Sequence, residues 1–141
     1  MEYQEVSVGR TVLGTLELGT EWGSELVALA ETAGVESGWY WGRGAVEDAE
    51  LDIYDQDEFT FESVSFPEPL QVPIAVGTVS VDDGEPVVET SAVLARPSGQ
   101  ALAGVLERAT VFTGEVLLRA FEEPIEREPA EATGAPTWTL H

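Results

Sequence analysis

Carboxylates are the first side chains here that could do chemistry, because the chain sets 27 Asp and Glu against 6 Arg and has no Lys. General acid-base catalysis and hard-cation binding both start from paired carboxylates. In this composition, however, pairs such as Asp82/Asp83 and Glu122/Glu123 recur by abundance alone and read as a solvated face. The single histidine is His141, which excludes a Ser-His-Asp triad within one chain and any multi-histidine metal centre. Cysteine is absent, so thiol nucleophiles, thiolate zinc sites and disulfides are excluded as well. Ser91 has no base that could activate it. The residues therefore assign no catalytic group, no metal ligand and no cofactor.

Two further clusters carry chemistry in other proteins. Gly42-Arg43-Gly44 has the glycines of a phosphate loop, but no third glycine, no Lys-Ser/Thr and no helix start follows, so it reads as a tight structural turn. Trp39, Tyr40 and Trp41 could stack bases as single-strand binders do. Basic residues do not flank them, which favours packing in the core or between subunits.

The elements that must position these residues are legible as alternation and periodicity. Val12 to Leu18 reads as a strand with Val12, Leu16 and Leu18 on one face. A helix follows, with Thr20 as its cap, Trp22, Leu26, Leu29, Ala30 and Ala33 as its apolar stripe, and Gly34 as its left-handed stop. Val35 to Trp41, Ala49 to Ile53, the Phe59/Phe61 segment, Leu70 to Val81, Val87 to Leu94 and Thr110 to Phe121 all read as extended. Pro73 has no N–H to give a ladder, which predicts an edge or a bulge there. Asp82-Asp83-Gly84 predicts a hairpin turn. Gln100 to Ala109 looks helical by propensity alone. From Glu122 onward the Glu, Pro, Ala and Thr content predicts a flexible or surface-hugging tail, with Trp138 and Leu140 able to dock on the body. These readings give one α/β (α+β) domain over residues 1–121, a compact and mainly antiparallel sheet flanked by one or two helices, and an acidic tail over residues 122–141.

Net charge is −21, and the tail's five Glu and one Arg account for only four of those charges, so the body keeps −17. Four Trp and a 43% hydrophobic content separate the chain from disordered acidic sequences. A folded core under an acidic coat repels itself in dilute buffer and is relieved by screening in molar salt. This predicts a halophilic protein of a salty cytoplasm, with no membrane partner and no direct hold on nucleic acid, since a polyanion is repelled by such a surface.

Several segments taken in order resemble the plant-and-prokaryote conserved (PPC) domain, a predicted DNA-binding family that in plants accompanies AT-hooks. They are Val12 to Gly19 with the following helix, Gly42-Arg43-Gly44-Ala45-Val46-Glu47-Asp48-Ala49-Glu50-Leu51, Leu70 to Val81 with Gly77, Asp83-Gly84-Glu85-Pro86, and Thr110 to Leu118 with Glu115. The resemblance implies a β-sheet domain flanked by helices and assembled as a homotrimer. It also implies less helix over Ala103 to Ala109 than propensity suggests. Many microbial members carry metal-binding histidines after the hairpin and further on, where this chain has Glu89, Thr90 and Ser91, then Ala103 and Gly104. Metal binding is therefore not carried over, and Glu89, Ser91 and Gly104 are left as a candidate degenerate pocket at a subunit boundary. No Arg-Gly-Arg-Pro hook is present. The leading expectation is a non-enzymatic homotrimeric interaction or scaffold protein. The alternatives are a small-ligand binder or enzyme using that pocket, joined by an Arg such as Arg96 or Arg43, and a DNA-associated regulator acting through a partner.

Overall fold

The computed structural model describes residues 1–141. Strand β1 (Val8–Leu16) leads into helix α1 (Trp22–Ala33), followed by β2 (Gly38–Asp55), β3 (Thr60–Phe66), β4 (Leu70–Asp82), β5 (Glu85–Ala95) and β6 (Ala101–Phe121); a short hairpin of β7 (Arg127–Pro129) and β8 (Pro136–Trp138) ends the chain. The main sheet is antiparallel throughout and runs β1-β6-β5-β4-β2-β3, with β6 also paired to β2. That extra pairing closes β6, β2, β4 and β5 into a ring of ladders. Closure lets one apolar face enclose a core, while β1 and β3 remain as outer strands with one partner each.

The core forms where strand alternation turns inward. Val46, Leu51, Val72, Val79, Leu94, Val111 and Leu118 are all buried, and α1 closes over them with Trp22, Leu26 and Ala30. Gly34, at φ +68, ends α1 in the left-handed conformation expected of a glycine cap. The N-cap is Glu21 and not Thr20: the Glu21 carboxylate accepts from the Gly23 and Ser24 N–H groups at 2.8 and 3.1 Å, while the Thr20 hydroxyl donates to the Glu17 carbonyl. A carboxylate also answers the positive end of the helix better than a hydroxyl does.

Other expectations change for physical reasons. Gln100 to Ala109 is not helical; residues 101–109 are the first half of β6, because pairing to β5 and to β2 outweighs a weak propensity. Gly42-Arg43-Gly44 is not a turn: β2 passes straight through it as a bulge, its register against β4 shifting between Gly42 and Gly44. At Gly44 (φ +153) a Cβ would sit 2.1 Å from the Thr113 carbonyl oxygen, so only glycine allows β2 and β6 to approach this closely. Leu18 lies beyond the end of β1 and is exposed. Phe59 is not in a strand but in the β2–β3 turn, at positive φ. Pro73 falls in the register shift between Gln71 and Ile74, the bulge its missing N–H demands. Asp83 and Gly84, both at positive φ, make the predicted hairpin turn.

Residues 122–141 lie against the body. Ile125 is buried and its N–H donates to the Ser37 hydroxyl at 2.5 Å. Trp138 packs its ring 6.3 Å from Phe121, and the Tyr54 hydroxyl donates to the Thr133 carbonyl. No helix is long and apolar enough to cross a membrane.

Candidate functional site: the outer face of the sheet

Residues opposite one another in a ladder share a face, so the registers define rows of side chains running across strands. One outward row reads Leu13, Leu117, Trp41, Val76, Ser91 and Val105 across β1, β6, β2, β4, β5 and the start of β6. Beside it runs Thr11, Arg119, Trp39, Thr78 and Glu89. On its other side run Thr15, Glu115 and Arg43. Leu13 is 80% exposed, Ile74 44% and Trp41 40%. With Leu117, these three line a groove of about 650 Å³ that Arg43 and Glu115 bound at one side.

The acidic excess of the molecule is missing from this face as far as β5, although the first row ends opposite the Asp52 carboxylate. Its rows hold two carboxylates, and each meets a guanidinium: Glu115 stands 3.7 Å from Arg43, and Glu89 stands 3.5 Å from Arg127 of β7. Arg119 has no carboxylate partner within 4 Å. Three of six arginines thus gather on one face of a protein with 27 acidic residues.

Beneath this face, Tyr40 points inward between Gly77 and Leu118. A Cβ at Gly77 would lie 2.0 Å from the Tyr40 ring, so the missing side chain makes room for the phenol. Its hydroxyl accepts from the Trp22 indole N–H at 3.2 Å and bonds the Thr90 hydroxyl. Burial pushes the Tyr40 phenol up to about 12. This triad is a satisfied polar link across the core and supplies no base near neutrality. Trp39-Tyr40-Trp41 therefore splits as a strand must, with Tyr40 in the core and both tryptophans on the outer face.

Glu89, Ser91 and Gly104 come close only through the ladder. Glu89 and Ser91 share the outer face of β5, while Gly104 pairs with Ala92 and so lies on the inner row. Glu89 lines a 450 Å³ cleft with Glu21, Ser24, Thr90 and Glu107, and neither Ser91 nor Gly104 contributes to it. The cation beside Glu89 is Arg127, whose guanidinium also reaches Thr78 and the Pro136 carbonyl and lies 5.1 Å from the Trp138 ring centroid. Arg127 was not foreseeable from the sequence, because the composition of its segment signals a loose tail. Arg96 sits elsewhere, held by Glu68 through contacts of 2.6 and 3.3 Å that keep the Glu68 carboxyl below its usual range.

A carboxylate already taken by a guanidinium, a neutral hydroxyl and a glycine do not make a metal-ligand set. No group of three or more His, Cys, Asp or Glu side chains is arranged to hold an ion. Glu107 is the one carboxyl pushed above its usual range, by sharing a hydrogen bond with the Asp52 carboxylate and by the negative charge of Asp52, Glu50 and Glu21 around it.

The fold has close relatives among solved structures. A metal-containing protein from Archaeoglobus fulgidus superimposes with a TM-score of 0.92 at 28% identity over 99% of both chains. A plant- and prokaryote-conserved (PPC) protein from Pyrococcus horikoshii superimposes with a TM-score of 0.91 at 25% identity, over 100% of this chain and 99% of that one. No curated protein matches the chain. The model of the Plants and Prokaryotes Conserved (PCC) domain matches residues 3–122, which contain α1 and all six strands of the main sheet, and the chain belongs to that family.

Proposed function

We propose that the chain is a non-enzymatic interaction module that works as a homotrimer in a high-salt cytoplasm, and that the outer face around Trp41 is its contact surface. The carrying observation is the apolar row Leu13, Leu117, Trp41 and Val76, set among arginines on a molecule of net charge −21. An exposed apolar surface rimmed by polar groups is the mark of a protein contact. Like-charged copies associate only where their coats are interrupted, and this face is such an interruption.

The A. fulgidus relative is described as metal-containing. In this chain Glu89, Ser91 and Gly104 of the degenerate pocket bring no imidazole, and Glu89 is turned to Arg127. DNA association, implied by the family resemblance, would require phosphates to approach a surface that repels them, so here it runs through a partner.

Light scattering at molar KCl, joined to elemental analysis, tests this reading. The expected result is a mass of three 15.2 kDa chains without stoichiometric metal. A monomer, or one bound zinc per chain, overturns it.

A further inference from the structure

The self-association reading leaves open what enters the groove at Trp41, and the structure offers an occupant within the same chain. Beyond the closed sheet, the end of β2 and the start of β3 form an arm whose ladder joins Ile53 to Glu62, Tyr54 to Phe61 and Asp55 to Thr60. Apolar side chains on this arm lie open to solvent: Ile53, Phe59, Phe61 and Val64 are 43 to 60% exposed. The Tyr54 and Phe61 rings pack 4.8 Å apart at a tilt of 52°, which stiffens the arm. Its carboxylates, Asp55, Asp57, Glu58 and Glu62, have no guanidinium within 4 Å.

Groove and arm are complementary in both respects. The groove is apolar with Arg119 on one flank and the Arg43–Glu115 pair, 3.7 Å apart, on the other; the arm is apolar with unpaired carboxylates. We propose, resting on the self-association reading, that the β2–β3 arm of one copy docks into the Leu13–Trp41–Ile74 groove of the next. A contact between two different surfaces is either exchanged reciprocally across a two-fold axis or passed head-to-tail from copy to copy, and in an assembly of three it is head-to-tail and closes as a ring. Desolvation of the aromatic and branched side chains supplies the attraction, and the charges set the register. Molar salt screens the exposed charge pairs but leaves the apolar contact intact, as a protein of brine requires.

The chain has no cysteine, so engineered thiols report this contact cleanly. Leu13→Cys and Phe61→Cys, both at exposed positions, are purified separately, mixed at molar KCl to exchange subunits, and oxidised. The expected result is a disulfide-linked dimer in the mixture and none in either variant alone. Self-linking of Leu13→Cys, or no link in a mixture that light scattering shows to be trimeric, overturns the groove-and-arm contact and leaves the self-association reading standing. A monomeric wild type overturns both. As a second arm, Phe61→Ser keeps the monomer fold, because its ring packs outside the core, and is expected to raise the dissociation midpoint roughly tenfold. An unchanged midpoint counts against the proposal.

Discussion

A phenol held out of water keeps its proton more tightly, and Tyr40 shows the consequence at the scale of one residue. Its hydroxyl joins Trp22 of α1 to Thr90 of β5, so a helix and two strands meet at one oxygen. The folded protein holds the phenol proton to about 12, against 10.0 for the free side chain. Below pH 10 both folded and unfolded chains are protonated and the stabilisation is complete. Between 10 and 12 the unfolded chain loses the proton first, so stability falls as pH rises through this window. Two pH units correspond to roughly 3 kcal/mol. Thermal denaturation between pH 9 and 12 should therefore show a steep fall in wild type that Tyr40→Phe flattens. At pH 7 the same substitution should cost about 1 to 2 kcal/mol, because the Trp22 indole N–H and the Thr90 hydroxyl lose a buried partner. An equally steep fall in the Phe variant would show that the alkaline loss lies elsewhere.

At the scale of elements, α1 depends on a carboxylate that also ties it to the sheet. Glu21 caps the first turn and accepts from the Ala109 N–H of β6 at 3.4 Å. Glu21→Ala should cost about 1 kcal/mol or somewhat more in chemical denaturation, the usual loss for a cap; a neutral result would mean that solvent caps this helix equally well. The element itself was legible, because a stripe at helical spacing and a terminal glycine are local signals. Its cap was not, since Thr20 and Glu21 are adjacent and only the entering backbone decides between them. The bulge at Pro73 and the hairpin at Asp83-Gly84 were legible for the same local reason: each rests on one residue's backbone chemistry. Gln100 to Ala109 and Gly42 to Gly44 were misread because their conformation is set by strands far away in sequence. Ala101 to Val105 is held by β5, and Gly44 is fixed by the approach of Thr113. The outer face was half legible. Alternation identifies Trp39 and Trp41 as partners on one side, but only the registers of three strands bring Leu13, Leu117 and Arg119 beside them. Arg127 reached the face from a segment whose composition pointed away from it.

At the scale of the whole molecule, stability is a contest between the core and the repulsion of the acidic coat. The arginine-bearing face carries little of that repulsion, and the far end of β2 and β6 carries much of it. There Glu107 stands against Asp52, with Glu50 and Glu21 nearby, and its carboxyl is raised because it shares a hydrogen bond with Asp52 and feels those charges. A carboxyl whose folded-state value is raised supports the fold while protonated and loses that support as pH rises, so at neutral pH Glu107 opposes folding. Its neighbours are partly exposed, so dissolved ions reach them: the screening length is about 10 Å at 0.1 M salt and about 3 Å at 1 M. Glu107→Gln removes the charge and keeps a group able to donate to Asp52. The variant should therefore melt above wild type in 0.1 M KCl, and the gap should shrink as salt rises until the two curves meet near molar concentration. Wild type itself should gain melting temperature over the same range. Measured side by side, the two titrations separate a local effect from a general one. If wild type gains with salt while the gap between the proteins stays constant, the repulsion is spread over the coat and Glu107 is not its focus. If wild type is most stable at the lowest salt, screening is not what supports this fold, and an acidic coat suited to brine is the wrong account of its charge.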